Sequence, residues 1–113
     1  MAAPRLDYVE FPVVDRDASK LFFAAAFGWS FTEFGPDYAS TTTGDVDVGL
    51  DATPDDRVAA PLAVIRVDDL EAAYDRVVAA GGEISRAIFS FPGGRRFHFR
   101  EPGGCELAVW VTG

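Results

Sequence analysis

The chain repeats one order of predicted elements, and this repeat restricts its fold more than any other feature. Each copy begins with an alternating strand, continues through an aspartate and an amphipathic helix, and reaches a glycine before three short strands. Asp15 corresponds to Asp69 and Gly28 to Gly82, and both pairs are 54 residues apart. Aspartate favours the start of a helix and glycine favours its end. We therefore predict an internal duplication of a βαβββ unit.

The hydrophobic periodicity gives approximate bounds for these elements. In the first copy we predict a strand over 6–14, a helix over 16–27 and short strands over 29–33, 38–42 and 46–50. In the second copy we predict a strand over 62–67, a helix over 70–80 and strands over 84–89, 94–100 and 105–112. Module 1 then covers about 5–50, a linker rich in Asp, Pro and Ala covers about 51–61, and module 2 covers about 62–113. Because 113 residues are too few for two independent cores, we expect one α+β domain over 1–113.

The last two predicted strands form a hairpin whose faces differ in polarity. Two alternating runs flank a Pro-Gly-Gly turn at 102–104. One face carries Phe97, Phe99, Leu107 and Val109, whereas the other carries Arg96, His98, Arg100, Glu106, Ala108 and Trp110. We expect the first face to pack beneath a helix and the second face to line a cavity.

The charge and the apolar runs exclude several classes of partner. The net charge of −8 arises from 18 Asp and Glu residues against 10 Lys and Arg residues. Such a surface repels phosphate backbones, so we expect no nucleic-acid partner. No apolar run approaches the roughly 20 residues of a membrane-spanning helix and no leader pattern is present, so we expect a cytoplasmic protein with no membrane partner.

Two further sequence features each have two interpretations. Cys105 is the one cysteine, so no intrachain disulfide can form, and it is either a small strand residue or a reactive nucleophile. Acidic residues also cluster near the linker, at Asp45, Asp47, Asp51, Asp55 and Asp56. This cluster is either a solvated loop or a source of negative potential that attracts a cationic ligand.

A series of short motifs gives the chain a family resemblance over nearly its whole length. The motifs are the strand that leads to Asp15, the run Phe22-Phe23-x-x-x-Phe27-Gly28-Trp29, the start of module 2 at Val67-Asp68-Asp69-Leu70, Gly81-Gly82, and Glu101-Pro102-Gly103-Gly104. With them the chain resembles the vicinal oxygen chelate superfamily, which contains glyoxalase I, extradiol dioxygenases, fosfomycin-resistance thiol transferases and bleomycin-resistance proteins. The resemblance implies two tandem modules that form a cupped mixed β-sheet cleft with helices packed outside. It also implies a homodimer, which would cover apolar residues such as Phe31, Phe89 and Phe91.

The resemblance further implies where a metal would bind in the metal-dependent members. Carried over position by position, the ligand positions on the first strand of each module and on the last strand fall on Tyr8, Leu62 and Ala108. A fourth ligand, near 46–50, has no assigned match. Leucine and alanine cannot coordinate a metal. We therefore expect no metal and no other cofactor, and none of the metal-dependent isomerase, dioxygenase or thiol-transfer reactions.

The same resemblance implies which side chains line the cleft. If the ligand-bearing faces point inward, the ligand-binding residues are Tyr8, Glu10, Leu62, Val64, Arg96, His98, Glu106, Ala108 and Trp110, with Trp29 as a further aromatic wall. His98 is either a satisfied structural histidine or a general base or hydrogen-bond donor with a pKa near neutrality. Glu10 is either the second acid–base candidate or the partner of Arg96 or Arg66 in an ion pair.

Two functions from different classes are consistent with this cleft. Aromatic walls suit a flat or cationic ligand. The first function is therefore metal-free binding, in which the protein sequesters or senses a small aromatic or cationic molecule, similar to bleomycin-resistance proteins. The alternative is a glyoxalase-like lyase or isomerase, or another small-molecule enzyme, with Glu10 and His98 as acid and base. The fold alone does not choose between them.

Overall fold

The computed structural model describes residues 3–55 and 57–113, so Asp56 of the acidic cluster lies outside the described residues. Within them the chain forms an α+β structure, as predicted. The elements follow the order β1 (Arg5–Pro12), α1 (Arg16–Phe27), β2 (Thr32–Glu33), β3 (Tyr38–Ser40), β4 (Asp47–Asp51), β5 (Leu62–Arg66), α2 (Leu70–Ala79), β6 (Glu83–Phe91), β7 (Gly94–Arg100) and β8 (Glu106–Thr112). The predicted repeat of a βαβββ order is confirmed.

The chain divides into two compact units. The N-terminal unit contains residues 8–62, and the C-terminal unit contains residues 3–7 and 63–113 of the described chain. The boundaries lie inside β1, after Asp7, and at Leu62, the first residue of β5. Residues 5–7, which the sequence placed in module 1, belong to the C-terminal unit.

The N-terminal unit contains a four-stranded mixed sheet and α1. β1 runs parallel to β4, whereas β3 pairs antiparallel with both β4 and β2. The Asp15 carboxylate accepts the Ala18 N–H at 3.1 Å and starts α1. Gly28 ends the helix in the left-handed region, at φ 71°, where its N–H bonds to the Ala24 carbonyl. Both predicted helix signals are confirmed.

The C-terminal unit has the better covered core. β5 runs parallel to β8, and β7 pairs antiparallel with both β8 and β6. The Asp69 carboxylate starts α2 by accepting the Ala72 N–H at 3.0 Å. The core between α2 and the sheet contains Val67, Leu70, Ala73, Phe97, Phe99 and Val109. Phe97 is fully buried and its ring centroid lies 5.1 Å from that of Tyr74, so the predicted apolar face of the hairpin does pack beneath a helix.

The structure shortens the first strand predicted after α1. A strand was expected over 29–33, but β2 contains Thr32 and Glu33 alone. Trp29 and Phe31 instead contact Phe23 on α1, at centroid distances of 5.2 and 6.4 Å. Contact with the helix removes these aromatic residues from the regular strand geometry.

The length and apolarity of the helices can be compared with what a membrane-spanning helix needs. Neither helix of the described chain is both long and apolar enough to cross a bilayer.

Candidate functional site

The polar face of the C-terminal sheet is set by the pairing of its four strands. Residues directly opposite one another on neighbouring strands point to the same side of a sheet. Arg66 on β5 pairs with Trp110 on β8, Trp110 pairs with Arg96 on β7, and Arg96 pairs with Phe89 on β6. We call these four residues the Arg–aromatic row. The predicted placement of Arg96 and Trp110 on one face is confirmed.

Cation–π contacts hold the Arg–aromatic row together. The guanidinium carbon of Arg66 lies 5.2 Å from the centroid of the Trp110 ring, and that of Arg96 lies 5.3 Å from the Phe89 ring. Phe91 extends the aromatic surface, because its ring lies 6.2 Å from Trp110 and 5.7 Å from the Arg96 guanidinium. Each contact contributes about 0.5–1 kcal/mol where it is exposed and more where it is desolvated.

Asp7 fixes the orientation of Trp110. The indole N–H donates to the Asp7 carboxylate at 2.9 Å, and Asp7 is only 8% exposed. A buried indole N–H needs such an acceptor. The ring of Trp110 is therefore held by Asp7 and stacked by Arg66. The sequence pattern did not identify Asp7, because its partner lies at the other end of the chain.

A second row crosses the polar face next to the first. Val64 and His98 both pair with Ala108, and Arg86 pairs with His98. Ala108 is fully buried and His98 is 3% exposed. The Phe89 ring lies 5.8 Å from the His98 imidazole, and the Arg86 guanidinium lies 3.7 Å from the Phe89 centroid. His98 therefore lies on the predicted face, where the neighbouring side chains bury it almost completely.

Burial determines the protonation of His98. Burial, followed by the positive charge of Arg96, lowers the pKa of His98 to about 4 from its ordinary value of 6.5. The Glu106 carboxylate opposes this shift but does not cancel it, since its oxygen lies 3.7 Å from the imidazole Nδ1. Glu106 itself accepts the Ser85 hydroxyl at 2.7 Å. His98 is thus neutral at pH 7, and the interpretation as a base with a near-neutral pKa is wrong.

One nitrogen of His98 lacks the contact that a structural histidine normally makes. Nε2 is buried and has no hydrogen-bond partner in the described part of the chain. A buried polar atom without a partner destabilises a fold by about 1–3 kcal/mol. His98 is therefore not a structural histidine with all its hydrogen bonds satisfied, because Nε2 makes none within the described part of the chain.

The N-terminal unit carries its own polar cluster on one face of its sheet. Tyr8 and Glu10 are on β1, and Glu10 pairs with Gly49 on β4. The Tyr38 hydroxyl donates to the Glu10 carboxylate at 3.3 Å and shares a hydrogen bond with the Tyr8 hydroxyl. A Cβ atom at position 49 would clash with both tyrosine hydroxyls. Glycine at position 49 therefore creates the space that this cluster of Tyr8, Glu10 and Tyr38 occupies.

The structure distributes the predicted binding residues over the two units. Val64, Arg96, His98, Glu106, Ala108 and Trp110 belong to the C-terminal unit, whereas Tyr8, Glu10, Trp29 and Leu62 belong to the N-terminal unit. Trp29 is not on the polar face of its sheet, because its ring stacks at 5.2 Å on Phe23 of α1. Trp29 therefore packs on α1, and its predicted role as a wall of the cleft stays a prediction.

The acidic cluster contains at least two carboxylates with structural contacts. Burial raises the pKa of Asp47, but hydrogen bonds from the Thr43 N–H, the Thr41 and Thr43 hydroxyls and the Gly44 N–H outweigh this effect and lower it. Asp51 is 6% exposed and accepts the Thr53 N–H at 2.9 Å. These two carboxylates stabilise the ends of β4, so they are neither simply solvated nor directed at a ligand.

The side chains at the positions carried over from metal-dependent proteins do not fit a metal ion. Ala108 and Leu62 are 0% and 1% exposed and present only hydrocarbon. The Tyr8 hydroxyl is hydrogen-bonded to the Tyr38 hydroxyl. Among residues 3–55 and 57–113, no three His, Cys, Asp or Glu side chains are grouped so that they could hold one metal ion.

Sequence reasoning missed Arg86, Phe89 and Phe91 on β6. The pairing register shifts between Ile84 and Arg86 and again between Arg86 and Phe89. Ile84 packs on the core beside α2, whereas Arg86 pairs with His98 on the opposite face. Simple alternation would place residues 84 and 86 on the same face of the sheet. Because a bulge breaks this alternation, counting along the sequence assigns Arg86 to the wrong face.

Comparison with known sequences assigns the chain to a protein family. The sequence model of the Glyoxalase/Bleomycin resistance protein/Dioxygenase superfamily matches residues 5–109. The chain is also 26% identical over 115 aligned residues to "Putative glyoxylase CFP32" of Mycobacterium bovis and of Mycobacterium tuberculosis. That match covers 92% of this chain and 44% of the mycobacterial proteins, so the chain spans less than half the length of these curated relatives.

Structural comparison gives the same fold. A superfamily member from Vibrio splendidus 12B01 superposes with a TM-score of 0.71 at 22% identity, covering 96% of this chain and 99% of that one. Methylmalonyl-CoA epimerase from Mycobacterium tuberculosis superposes with a TM-score of 0.70 at 19% identity, covering 96% and 87% of the two chains. Identities this low establish a shared fold and leave the activity open.

Proposed function

Since the chain belongs to the glyoxalase/bleomycin resistance protein/dioxygenase superfamily, we propose that it binds a small aromatic molecule without a divalent metal. The proposed site is the polar face of the C-terminal sheet. The observation that carries the proposal is the Arg–aromatic row, in which Trp110 lies between Arg66 and Arg96. Trp110, Phe89 and Phe91 are all partly exposed, so they offer ring faces for stacking.

The chemistry of the donor positions supports binding without a metal. A divalent ion in this superfamily would need electron pairs from side chains at positions 62 and 108, and neither leucine nor alanine has any. A ligand on this face would be oriented by stacking and by guanidinium donors. Such contacts need no metal.

The charges on the face favour the aromatic class over the cationic class. Arg66, Arg86 and Arg96 all point to this side of the sheet, and each lies over an aromatic ring. These three guanidinium groups already place positive charge beside the rings that would attract a cation. A cationic ligand would therefore be repelled at the place where it would otherwise bind.

The tyrosine cluster of the N-terminal unit favours one alternative, a metal-free enzyme with Glu10 as its acid or base. Glu10 is only 3% exposed and accepts a hydrogen bond from Tyr38, an arrangement that can position a carboxylate for proton transfer. Relatives named as a glyoxylase and as an epimerase make this class reasonable. The second residue of the predicted pair, His98, is a poor partner, because it is buried and its pKa of about 4 makes it a weak base.

A thermal-shift screen tests the proposed binding directly. The protein is screened against the aromatic members of a metabolite and antibiotic library, with and without Zn²⁺, Mn²⁺, Ni²⁺ or Fe²⁺. We expect at least one aromatic compound to raise Tm in the presence of EDTA, because a ligand that binds only the folded state stabilises it. The Trp110→Leu variant should lose this rise, whereas the control Trp29→Leu should keep it. Stabilisation that requires the metal, or that survives Trp110→Leu, contradicts the proposal.

A further inference from the structure

The positive charge on the polar face of the C-terminal sheet suggests which aromatic molecules it selects. The chain as a whole carries a net charge of −8. Among the described residues of this face, however, the four guanidinium groups of Arg66, Arg86, Arg96 and Arg100 outnumber the three carboxylates of Asp7, Glu83 and Glu106. A local excess of positive charge on an acidic protein focuses anions at that place.

The geometry of Arg66 suits an anionic group next to a ring. A guanidinium that stacks on an aromatic ring uses its flat face, and its N–H donors lie in the plane of the group. The guanidinium carbon of Arg66 lies 5.2 Å from the centroid of the Trp110 ring. Arg66 also lines a cavity of about 270 Å³ together with Ala3, Arg5, Val67 and Asp68. This cavity supplies space beside the guanidinium, and its wall carries the charges of Arg5 and Asp68 in addition to that of Arg66.

We infer that the ligand of this face is a planar aromatic anion, in which the ring stacks on Trp110 and Phe91 and a carboxylate receives the donors of Arg66. This inference rests on the proposed function and narrows it to one ligand class. A carboxylate matches the fork of a guanidinium with two parallel hydrogen bonds, which a neutral or cationic group cannot reproduce. Arg96, on the other side of Trp110, contributes a second positive charge.

The electrostatic environment of His98 agrees with this picture. His98 lies in the row next to the Arg–aromatic row, and after burial the largest influence that lowers its pKa is the charge of Arg96. Arg86 acts in the same direction, and the charge of Glu106 has a smaller effect than that of Arg96. Arg96 and Arg86 therefore both act in the direction that favours an anion near His98.

The test compares three probes that share one ring and differ in charge. The probes are 2-naphthoate, 2-naphthamide and 2-naphthylmethylammonium, and their Kd values are measured by calorimetry at pH 7 and low salt. We expect 2-naphthoate to bind about tenfold more tightly than 2-naphthamide, because charge-assisted hydrogen bonds are stronger than neutral ones. The ammonium probe should bind most weakly. The preference for 2-naphthoate should decrease as salt is added, because both partners of the contact are partly exposed.

Variants assign the preference to particular side chains. Arg66→Met keeps the length of the side chain and removes its charge, so it should abolish most of the preference for 2-naphthoate over 2-naphthamide. Arg96→Met should reduce it as well, and thermal unfolding of each variant confirms that it is folded. Arg76→Met on the exposed side of α2 is the matched control and should retain the preference.

The outcomes distinguish a failure of the inferred anionic ligand class from a failure of the proposed aromatic site. Equal binding of 2-naphthoate and 2-naphthamide, or an unchanged preference in Arg66→Met, overturns the anionic class and leaves aromatic binding intact. Failure of all three probes to bind overturns the inference together with the proposed aromatic site.

Discussion

At the scale of single residues, burial changes what a side chain can do. His98 belongs to a residue type that usually titrates near neutrality. In this fold it is 3% exposed and next to Arg96, and its pKa falls to about 4. Glu10 is equally buried but accepts a tyrosine hydroxyl. The sequence predicted the faces of both residues, yet their chemistry depends on neighbours that the alternation does not specify.

The lowered pKa of His98 predicts a pH-dependent stability. The ordinary pKa of 6.5 applies to the unfolded chain and a pKa of about 4 to the folded chain, so between these values only the unfolded state binds the proton. The free energy of unfolding should be highest above pH 6.5 and should fall as the pH is lowered towards 4, by roughly 3 kcal/mol in total. Urea titrations at a series of pH values measure this slope.

His98→Gln is the control for this prediction, because glutamine has no titrating group in that range. Carboxylates titrate mainly below about pH 5, so the interval between pH 5 and 6.5 isolates the histidine. A slope in this interval that persists in His98→Gln would show that another group causes it.

Gly49 predicts a second effect at the residue scale. Gly49→Ala should lower the free energy of unfolding by about 1–3 kcal/mol, because the new methyl group clashes with the hydroxyls of Tyr8 and Tyr38. Tyr38→Phe removes one of these hydroxyls, so the combined variant should cost less than the sum of the two single changes. Strict additivity in chemical denaturation would mean that the tyrosine hydroxyls do not occupy the space above Gly49.

At the scale of elements, both helices begin at an aspartate cap, but the chain covers their apolar stripes to very different extents. Leu70 and Ala73 of α2 are buried against β7 and β8. On α1, by contrast, Phe22 is 60% exposed and Phe27 is 63% exposed. The spacing of apolar residues predicted both helices correctly. It could not indicate how much of each apolar stripe the chain itself covers.

Phe97→Ala tests the packing of α2 on the hairpin. Phe97 is fully buried, so its removal should lower the free energy of unfolding by roughly 3–5 kcal/mol. Val78→Ala on α2, where Val78 is 51% exposed, is the control and should cost about 0.5 kcal/mol or less, as expected for an exposed position. Similar losses for the two variants in urea denaturation would contradict the assigned core.

The strands show where prediction from sequence works and where it fails. β7 was predicted at its observed bounds and β8 to within one residue, because both alternate cleanly around a Pro-Gly-Gly turn. β6 contains two register shifts, so its contribution of Arg86 and Phe89 to the site could not be found by counting. The contact between Asp7 and Trp110 joins the two ends of the chain, and local pattern carries no signal of it.

At the scale of the whole molecule, the exposed apolar surface is on α1 and after it. Phe22, Phe27, Trp29 and Phe34 are each at least 38% exposed, whereas Phe31, Phe89 and Phe91 are partly buried. The most exposed aromatic residues of the described chain are therefore on and after α1, and Phe31, Phe89 and Phe91 are less exposed. Contiguous aromatic surface of this kind typically marks an interaction site.

We predict that the protein is a homodimer in which two copies meet through this surface of α1. Each copy carries a net charge of −8, so two copies repel one another. An uncharged, apolar surface is therefore the place where they can make contact. Sedimentation at micromolar concentration should give a dimer, and Phe27→Asp should convert it to a monomer. Val78→Asp on α2, where Val78 is 51% exposed, should leave the dimer intact. A monomeric parent protein contradicts the prediction.

The most direct test of metal-free aromatic binding on the C-terminal sheet uses the two indole N–H signals of Trp29 and Trp110. They are assigned in ¹H–¹⁵N spectra by Trp29→Phe and followed during a titration with 2-naphthoate in the presence of EDTA. We predict that the Trp110 signal shifts with ligand concentration and saturates, because the ring stacks on that indole, while the Trp29 signal stays in place. A saturating shift of Trp29 alone, no shift of either signal, or a shift that appears only after a divalent metal replaces EDTA would contradict the proposed site.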